Sequence, residues 1–344
     1  ARRFRTHAAI ETVAMLMGLA VTLLLALRGA GYWALFAAEP VTALCLLAGH
    51  TWAARWRPHF SAAISEVRHF SRFGGVVSLN RVAGYIAGNV DNLILGIAAG
   101  PVSLGFYNKA FRLVALPQEA INWPLSKLAI PILAQSRDQP AEFVRAFRHF
   151  NLTSVALALP AVGFLLVSTA EIVAVLYGPQ WTPVVPLLRL LGLMGLCHTF
   201  LLAPVWVYTA MGTVTRQLRW DLLNLAVLAA AFLLGVRWGA MGVAIAASAA
   251  YAAMRIPALL YCFRGTPLRL RDLGAILWRP LLATAVAGGV LLSARRGWGT
   301  AGPAYLIVLR DALVFAGSYA LGWLLVPGWK SFLAHELRRP APTP

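Results

Sequence analysis

Long apolar runs alternate with short basic connections from one end of the chain to the other. Ten runs are long enough to cross a bilayer as helices, which takes about 18 or more largely apolar residues. They fall at roughly 8–28, 32–52, 73–98, 103–134, 151–176, 184–211, 216–236, 239–262, 277–294 and 303–326. Gly-containing turns such as RGAGYW (28–33) and VRWGAMG (236–242) join some neighbours tightly, so these pairs form antiparallel hairpins. The pattern predicts an all-α integral membrane protein, a polytopic bundle of about ten transmembrane helices.

Charge fixes the expected sidedness. The chain has 344 residues, 60% of them hydrophobic, and a net charge of +18. Nineteen basic residues sit at one set of helix ends, among them Arg2, Arg55, Arg145, Arg216, Arg269 and Arg338. Only Arg28, Arg237, Arg295 and Arg296 sit at the other. Basic loops stay in the cytoplasm, and an even number of spans puts both termini there. The membrane accounts for the charge, so no nucleic-acid partner is implied. External connections are too short to hold a soluble catalytic domain. In EFVRAFRHF (142–150), Phe143, Phe147 and Phe150 share one face and Arg145 and Arg148 the other. That suits either a helix lying in the inner interface or a packed connector. The tail RRPAPTP (338–344) is expected to be disordered.

One span is unusually polar. The run at 73–98 contains RVAGYIAGNVDNLILG (81–96), with Asn80 directly before it. On a helical wheel Arg81, Tyr85, Asn89, Asp91 and Asn92 occupy one half, and Val82, Ile86, Val90 and Ile94 the other. Ionised groups at membrane depth are costly and face a bundle interior, a partner or a wet cavity. This helix is expected to line a cavity, with a network that glues helices together as the alternative.

The next span, 103–134, carries Lys109, Arg112, Gln118, Glu119, Asn122, Ser126 and Lys127. Arg112, Glu119, Asn122 and Ser126 cluster within about 80° on the wheel. Pro117 and Pro124 each remove a backbone donor and predict a bent or broken helix. Elsewhere Glu39, Arg189, Arg255, Arg310 and Asp311 lie inside spans and read as structural. Arg310 and Asp311 need not pair, because adjacent helical residues point about 100° apart. Glu11, Glu171 and Asp221 lie near interfaces, where solvation accounts for them.

No G-x-S-x-G, HExxH, Walker loop or DxD pair occurs in the chain. Cys45, Cys197 and Cys262 lie in or at the ends of apolar runs without CxxC spacing. No catalytic residue, metal site, disulfide or cofactor is expected. Without an ATP loop, any transport runs on an ion gradient, on membrane potential or downhill.

Several stretches resemble a known family. GNVDNLILGIAAGPVSLGFYNKAFRLVALPQEAINWPLSKLAIPILAQ (88–135), followed by VLYGPQWTPVVPLLRLL, resembles the polysaccharide exporters of the MOP superfamily. These are Wzx-type flippases of lipopolysaccharide, O-antigen or exopolysaccharide precursors. The ordered features are Asn-x-Asp-Asn, Leu-Gly-x-Tyr-Asn-Lys-Ala-x-Arg-Leu, the proline-bearing helix and Leu-Tyr-Gly-Pro-Gln-Trp. The likeness covers most of 1–263 and fades beyond. It implies a MOP/MATE-like fold of two six-helix lobes around a central cavity, with an added helix pair. Residues 1–60 would then hold the last two helices of an incomplete N-terminal lobe, and 61–72 a cytoplasmic linker. Residues 73–263 would form the C-terminal lobe, complete with six helices, 264–326 the added pair and 327–344 a cytoplasmic tail. An N-terminal truncation is expected on this basis.

The resemblance also implies a function. The expected activity is flipping of undecaprenyl-pyrophosphate-linked oligosaccharide across the bacterial inner membrane by alternating access. A pyrophosphate in a low-dielectric cavity needs cations, and Arg81, Lys109 and Arg112 are the candidates. Asn89 and Asn92 are candidates to hydrogen-bond sugar or headgroup. Asp91 and Glu119 are candidates to bind a coupling proton or cation, or to balance charge. Expected partners are the lipid-linked oligosaccharide, membrane lipids and a polysaccharide polymerase with its chain-length machinery. The alternatives are a related exporter of drugs or of the peptidoglycan lipid precursor, and a membrane remnant that does not transport.

Overall fold

A computed structural model describes residues 2–54, 88–199, 203–298 and 302–325, with single positions 82, 85 and 86. Arg81, Asn80, the linker 61–72 and the tail 327–344 lie outside the described residues. The chain divides into two compact units, 1–77 and 78–344.

The described part of the first unit is a helical hairpin of α1 (Arg2–Leu27) and α2 (Trp33–Ala54). Gly29 and Gly31 turn the chain between them with φ of 79° and 55°, a region that only glycine enters freely. Small residues bring the helices close. A Cβ on Gly49 would lie 2.5 Å from Ile10 Cγ2, and one on Gly18 would overlap the Thr42 hydroxyl. His7 and His50 meet at the open end, ring centroids 4.6 Å apart.

The second unit begins its described run with α3 (Val90–Gln135). Gly100, at φ 80° and ψ 170°, interrupts this helix. Residues eight apart in an unbroken helix are separated by about 12 Å, yet a Cβ on Gly96 would come within 3.2 Å of Leu104. The chain therefore doubles back at Gly100–Pro101, between the two spans expected at 73–98 and 103–134. The prolines do not break the helix. Pro117, Pro124 and Pro131 all lie within one helical run to Gln135, so the break falls at Gly100 and not at Pro117 or Pro124.

After α3 come α4 (Pro140–Val167), α5 (Thr169–Tyr177), a 3-10 turn (Pro179–Trp181), α6 (Val184–Thr199) and α7 (Ala203–Ala210). Next are α8 (Val214–Gly235) and α9 (Gly239–Phe263), joined by a second 3-10 turn, and then α10 (Leu270–Trp298) and α11 (Ala304–Leu325). Seven described stretches are long and apolar enough to cross a membrane. Two of them, 90–135 and 214–263, each contain a break and hold two helices. Helix falls in all ten expected segments, and the all-α, polytopic expectation holds.

Two apolar cores lie toward opposite ends of α3. The first gathers Leu95, Tyr107, Leu113, Leu188, Leu191, Phe232 and Val243. The second gathers Leu133, Phe143, Phe147, Trp206, Phe263 and Leu273. Phe143 and Phe147 are fully enclosed, and Phe147 meets Phe263 edge-on at 5.8 Å. The segment 142–150 is thus a packed connector continuous with its span, not a helix in the lipid interface. On its other face Arg145 bonds Glu142 at 2.5 Å, and Arg148 reaches Asp272 on α10 at 2.6 Å.

The α10–α11 pair is held by a buried ion cluster. Arg295 contacts Asp311 at 2.5 Å and Glu171 at 3.2 Å, and it donates to the Val167 carbonyl at 3.0 Å. Arg310 folds back onto Asp311 at 3.0 Å. Glu171 is therefore paired rather than merely solvated, and the neighbours Arg310 and Asp311 do meet, through the long arginine arm.

Both features generate tests. A Cβ on Gly235 would lie 2.5 Å from the Gly242 carbonyl, and one on Gly242 would overlap the Gly235 carbonyl. Neither can yield as a side chain would, so Gly242→Val should cost about 1–3 kcal/mol and lower the melting temperature in detergent. Gly289→Ala, whose Cβ meets nothing within 4 Å, should not. A Gly242→Val protein that melts with the wild type would refute the close approach of α8 and α9.

Asp311 is fully buried between two arginines. Removing one partner of such a cluster costs about 3–5 kcal/mol. Asp311→Ala should therefore destabilise the protein far more than Asp138→Ala, whose exposed carboxylate lies 3.8 Å from Arg137. Equal melting shifts for the two variants would show that the buried cluster does not hold the helix pair.

Candidate functional site

The polar positions of α3 separate into three places. Shortly after the reversal at Gly100, Lys109 and Arg112 are exposed. Lys109 Nζ sits 5.1 Å from the Tyr177 ring and 5.6 Å from the Trp181 ring. Phe106 closes on Trp181 edge-to-face at 5.8 Å, and Arg112 lies within electrostatic range of Tyr177. Gly178, at φ 87°, turns the chain after α5 and starts the short turn that carries Trp181. The Tyr-Asn-Lys-Ala-Phe-Arg-Leu stretch and the Leu-Tyr-Gly-Pro-Gln-Trp stretch, 70 residues apart in sequence, thus form one cationic-aromatic cluster.

The Asn-x-Asp-Asn stretch turns elsewhere. Asn89 donates to the Tyr85 carbonyl at 2.9 Å, and Asn92 donates to Asn89 Oδ1 at 3.3 Å. Asp91 is buried and accepts from the Asn92 backbone at 2.8 Å. It also accepts from the Tyr107 hydroxyl and lies within electrostatic range of Tyr251 on α9. The two asparagines and Asp91 are engaged locally and are not among the residues that line the cavity described next.

Midway along α3 a cavity of about 520 Å³ opens. Phe111, Gln118, Glu119, Asn122, Trp123 and Lys127 line it from α3, facing Met194 and Gly195 on α6 and Tyr251 on α9. Gln118 bridges to the Gly195 carbonyl at 3.0 Å. Asn122 is a hub. Its Oδ1 accepts from Ser154 of α4 at 2.6 Å, and its backbone carbonyl accepts from Ser126 at 2.7 Å. Ser126 in turn accepts from Trp206 of α7 at 2.7 Å. Of the candidate substrate- and ion-binding residues that are described, Glu119 alone lines this cavity. Lys109 and Arg112 gather at one end of the helix, and Asn89, Asp91 and Asn92 form a separate group. Arg81 lies outside the described residues. Sequence reasoning found the Glu119–Asn122–Ser126 stripe but missed Ser154, Trp206 and Tyr251, which carry no local signal.

With this geometry in place, the comparisons become interpretable. The family described as "Polysaccharide biosynthesis protein" matches residues 1–186, more than half of the chain. The chain belongs to this polysaccharide biosynthesis family. Several proteins are similar to this one by sequence. One is the teichuronic acid biosynthesis protein TuaB of Bacillus subtilis, 27% identical over 48% of this chain and 35% of its own length. The succinoglycan biosynthesis transport protein ExoT of Rhizobium meliloti is 26% identical over 58% of this chain and 41% of its own. The lipopolysaccharide biosynthesis protein WzxC of Escherichia coli is 26% identical over 55% and 39%. The matches thus span about two-fifths or less of these relatives' lengths. Among solved structures, the lipid II flippase MurJ in an inward closed conformation superposes with a TM-score of 0.68. It is 15% identical, over 97% of this chain and 68% of that one. The chain thus shares the fold of this solved structure.

The cationic-aromatic cluster can be tested in this family member by a double-mutant cycle. An exposed cation–π pair is worth about 0.5–1 kcal/mol. Lys109→Met and Tyr177→Leu should therefore show a coupling of that size in detergent melting experiments. Strict additivity would mean that the ring does not hold the ammonium.

Proposed function

We propose that this protein takes part in flipping a lipid-linked oligosaccharide across the bacterial inner membrane by alternating access, without an enzymatic step. The match to the polysaccharide biosynthesis family across residues 1–186 carries this reading. The names of ExoT, a succinoglycan biosynthesis transport protein, and WzxC, a lipopolysaccharide biosynthesis protein, are in keeping with it. In this reading residues 1–60 supply two helices of an N-terminal lobe and 61–72 a cytoplasmic linker. Residues 73–263 form the six-helix lobe, 264–326 an added pair and 327–344 a cytoplasmic tail. The excess of arginine at one set of helix ends supports a cytoplasmic side for both ends of this stretch. A polymerase with its chain-length machinery receives the product.

The cations do the electrostatic work. A pyrophosphate leaving water loses its solvation and needs fixed positive charge in return. Lys109, Arg112 and Arg81 supply it. Asn89 and Asn92 bind headgroup or sugar oxygens when their mutual hydrogen bond opens. Asp91, enclosed with Tyr107, and Glu119, on the cavity wall, take up a coupling proton or cation. A second reading, movement of a peptidoglycan lipid precursor, draws on the shared fold with MurJ.

Transport into proteoliposomes of a fluorescent undecaprenyl-pyrophosphoryl oligosaccharide tests the proposal. With Arg81, Lys109 and Arg112 all changed to glutamine, the flipping rate of the full-length protein should fall at least tenfold. Undiminished flipping at equal reconstitution would sink the assigned roles. A preference for lipid II over every glycan-bearing substrate would favour the second reading.

A further inference from the structure

The mid-helix cavity and the cation cluster differ in chemistry. Asn122 is 3% exposed, and its side-chain amide has two polar atoms. Ser154 occupies one of them, and the other, Nδ2, has no partner. A buried polar atom left unpaired costs about 1–3 kcal/mol. A hydrocarbon chain in the cavity would leave that cost in place, whereas an oxygen-bearing ligand would remove it.

The walls narrow the choice further. Phe111, Trp123 and Tyr251 present apolar faces, with Met194 beside them. Small-molecule sites are typically built this way, mostly apolar with a few placed polar groups, at volumes of about 300–1,000 Å³. The rim carries one charge of each sign, Glu119 and Lys127, roughly 12 Å apart along the helix. A pyrophosphate would gain nothing from that balance. A ligand with an apolar face, several hydroxyls and no net charge would fit it.

We infer that this cavity is a sugar subsite, in which Asn122 donates to an oxygen of the glycan and Trp123 covers a face of a sugar ring, while the pyrophosphate lies outside it. The inference rests on the flippase reading and adds a division of labour along α3. Asn122 and Trp123 read sugar, and Lys109 and Arg112 bind phosphate. Asn122 is a specificity-determining residue in this scheme. Ser154, Ser126 and Trp206 hold it in position.

The test compares two kinds of water-soluble probe on the full-length protein in detergent: a short-chain isoprenyl pyrophosphate, and the same lipid carrying a glucosyl, galactosyl or N-acetylglucosaminyl group. At least one sugar-bearing probe should bind the wild type about fivefold or more tighter than the bare probe. Asn122→Asp keeps the acceptor for Ser154 and removes the donor, so it should abolish that difference while leaving affinity for the bare probe unchanged. Trp123→Ala, at a site 69% exposed and safe for folding, should reduce it as well. Lys109→Met should weaken all probes alike. The inference is overturned if the sugar adds no affinity to the wild type, or if both variants keep the sugar-dependent gain. It is also overturned if they weaken the bare probe equally, which would make the cavity an isoprenoid or phosphate site. Failure of every probe to bind the wild type would defeat the flippase reading itself, and this inference with it.

Discussion

A bilayer core offers no hydrogen-bond partners, so each polar group carried into it must be satisfied by the protein or by cargo. This constraint organises the second unit. Asn122 joins α3 to α4 through Ser154, and Ser126 extends the junction to α7 through Trp206. Gln118 adds α6 through the Gly195 carbonyl. The ion cluster around Asp311 does the same for α10 and α11, with Arg295 reaching both Glu171 and the end of α4. Apolar contacts in lipid discriminate poorly between partners, because the tails are as apolar as the side chains. The few polar junctions therefore decide which helices pack together.

The path of α3 follows from the same rule. Three prolines lie inside its long run, and each removes one backbone donor. Helical geometry nevertheless persists, because breaking it would expose many more unpaired groups than the prolines free. The chain reverses instead at Gly100, where a positive φ is permitted and the sequence offers Pro101 to begin the next helix. The part of α3 after Gly100 then runs unbroken from one apolar core to the other and displays its polar stripe between them.

Much of this was legible in the pattern of residues. Helix positions follow from the length of apolar runs, since the bilayer sets that length. The clustering of Glu119, Asn122 and Ser126 follows from helical periodicity. Contacts between distant segments were not legible. Nothing local marks Ser154 as the partner of Asn122, or Tyr177 and Trp181 as the bed for Lys109. Arg295 looked like a loop charge because it ends an apolar run, yet its long side chain folds inward to Asp311. The phenylalanine stripe of 142–150 was ambiguous for a related reason. An apolar face seeks any apolar surface, and only the position of Phe263 and Trp206 decides between protein and lipid.

The aromatic seat of Lys109 bears on how a cation can serve a moving anion. A lysine locked in a buried salt bridge would have its charge cancelled and would resist exchange. Aromatic rings restrict the ammonium by a weak attraction of about 0.5–1 kcal/mol while leaving its positive charge uncompensated. Lys109 is therefore oriented while its charge stays uncompensated, as its proposed role toward phosphate oxygens requires. From Lys109 to Lys127 the stripe runs 18 residues, roughly 27 Å of helix, close to the thickness of the hydrocarbon core. One helix can thus offer fixed charge at one depth and uncharged hydrogen bonding at another. A cargo with a charged pyrophosphate and a neutral glycan would meet both at once, without either part having to enter an environment built for the other.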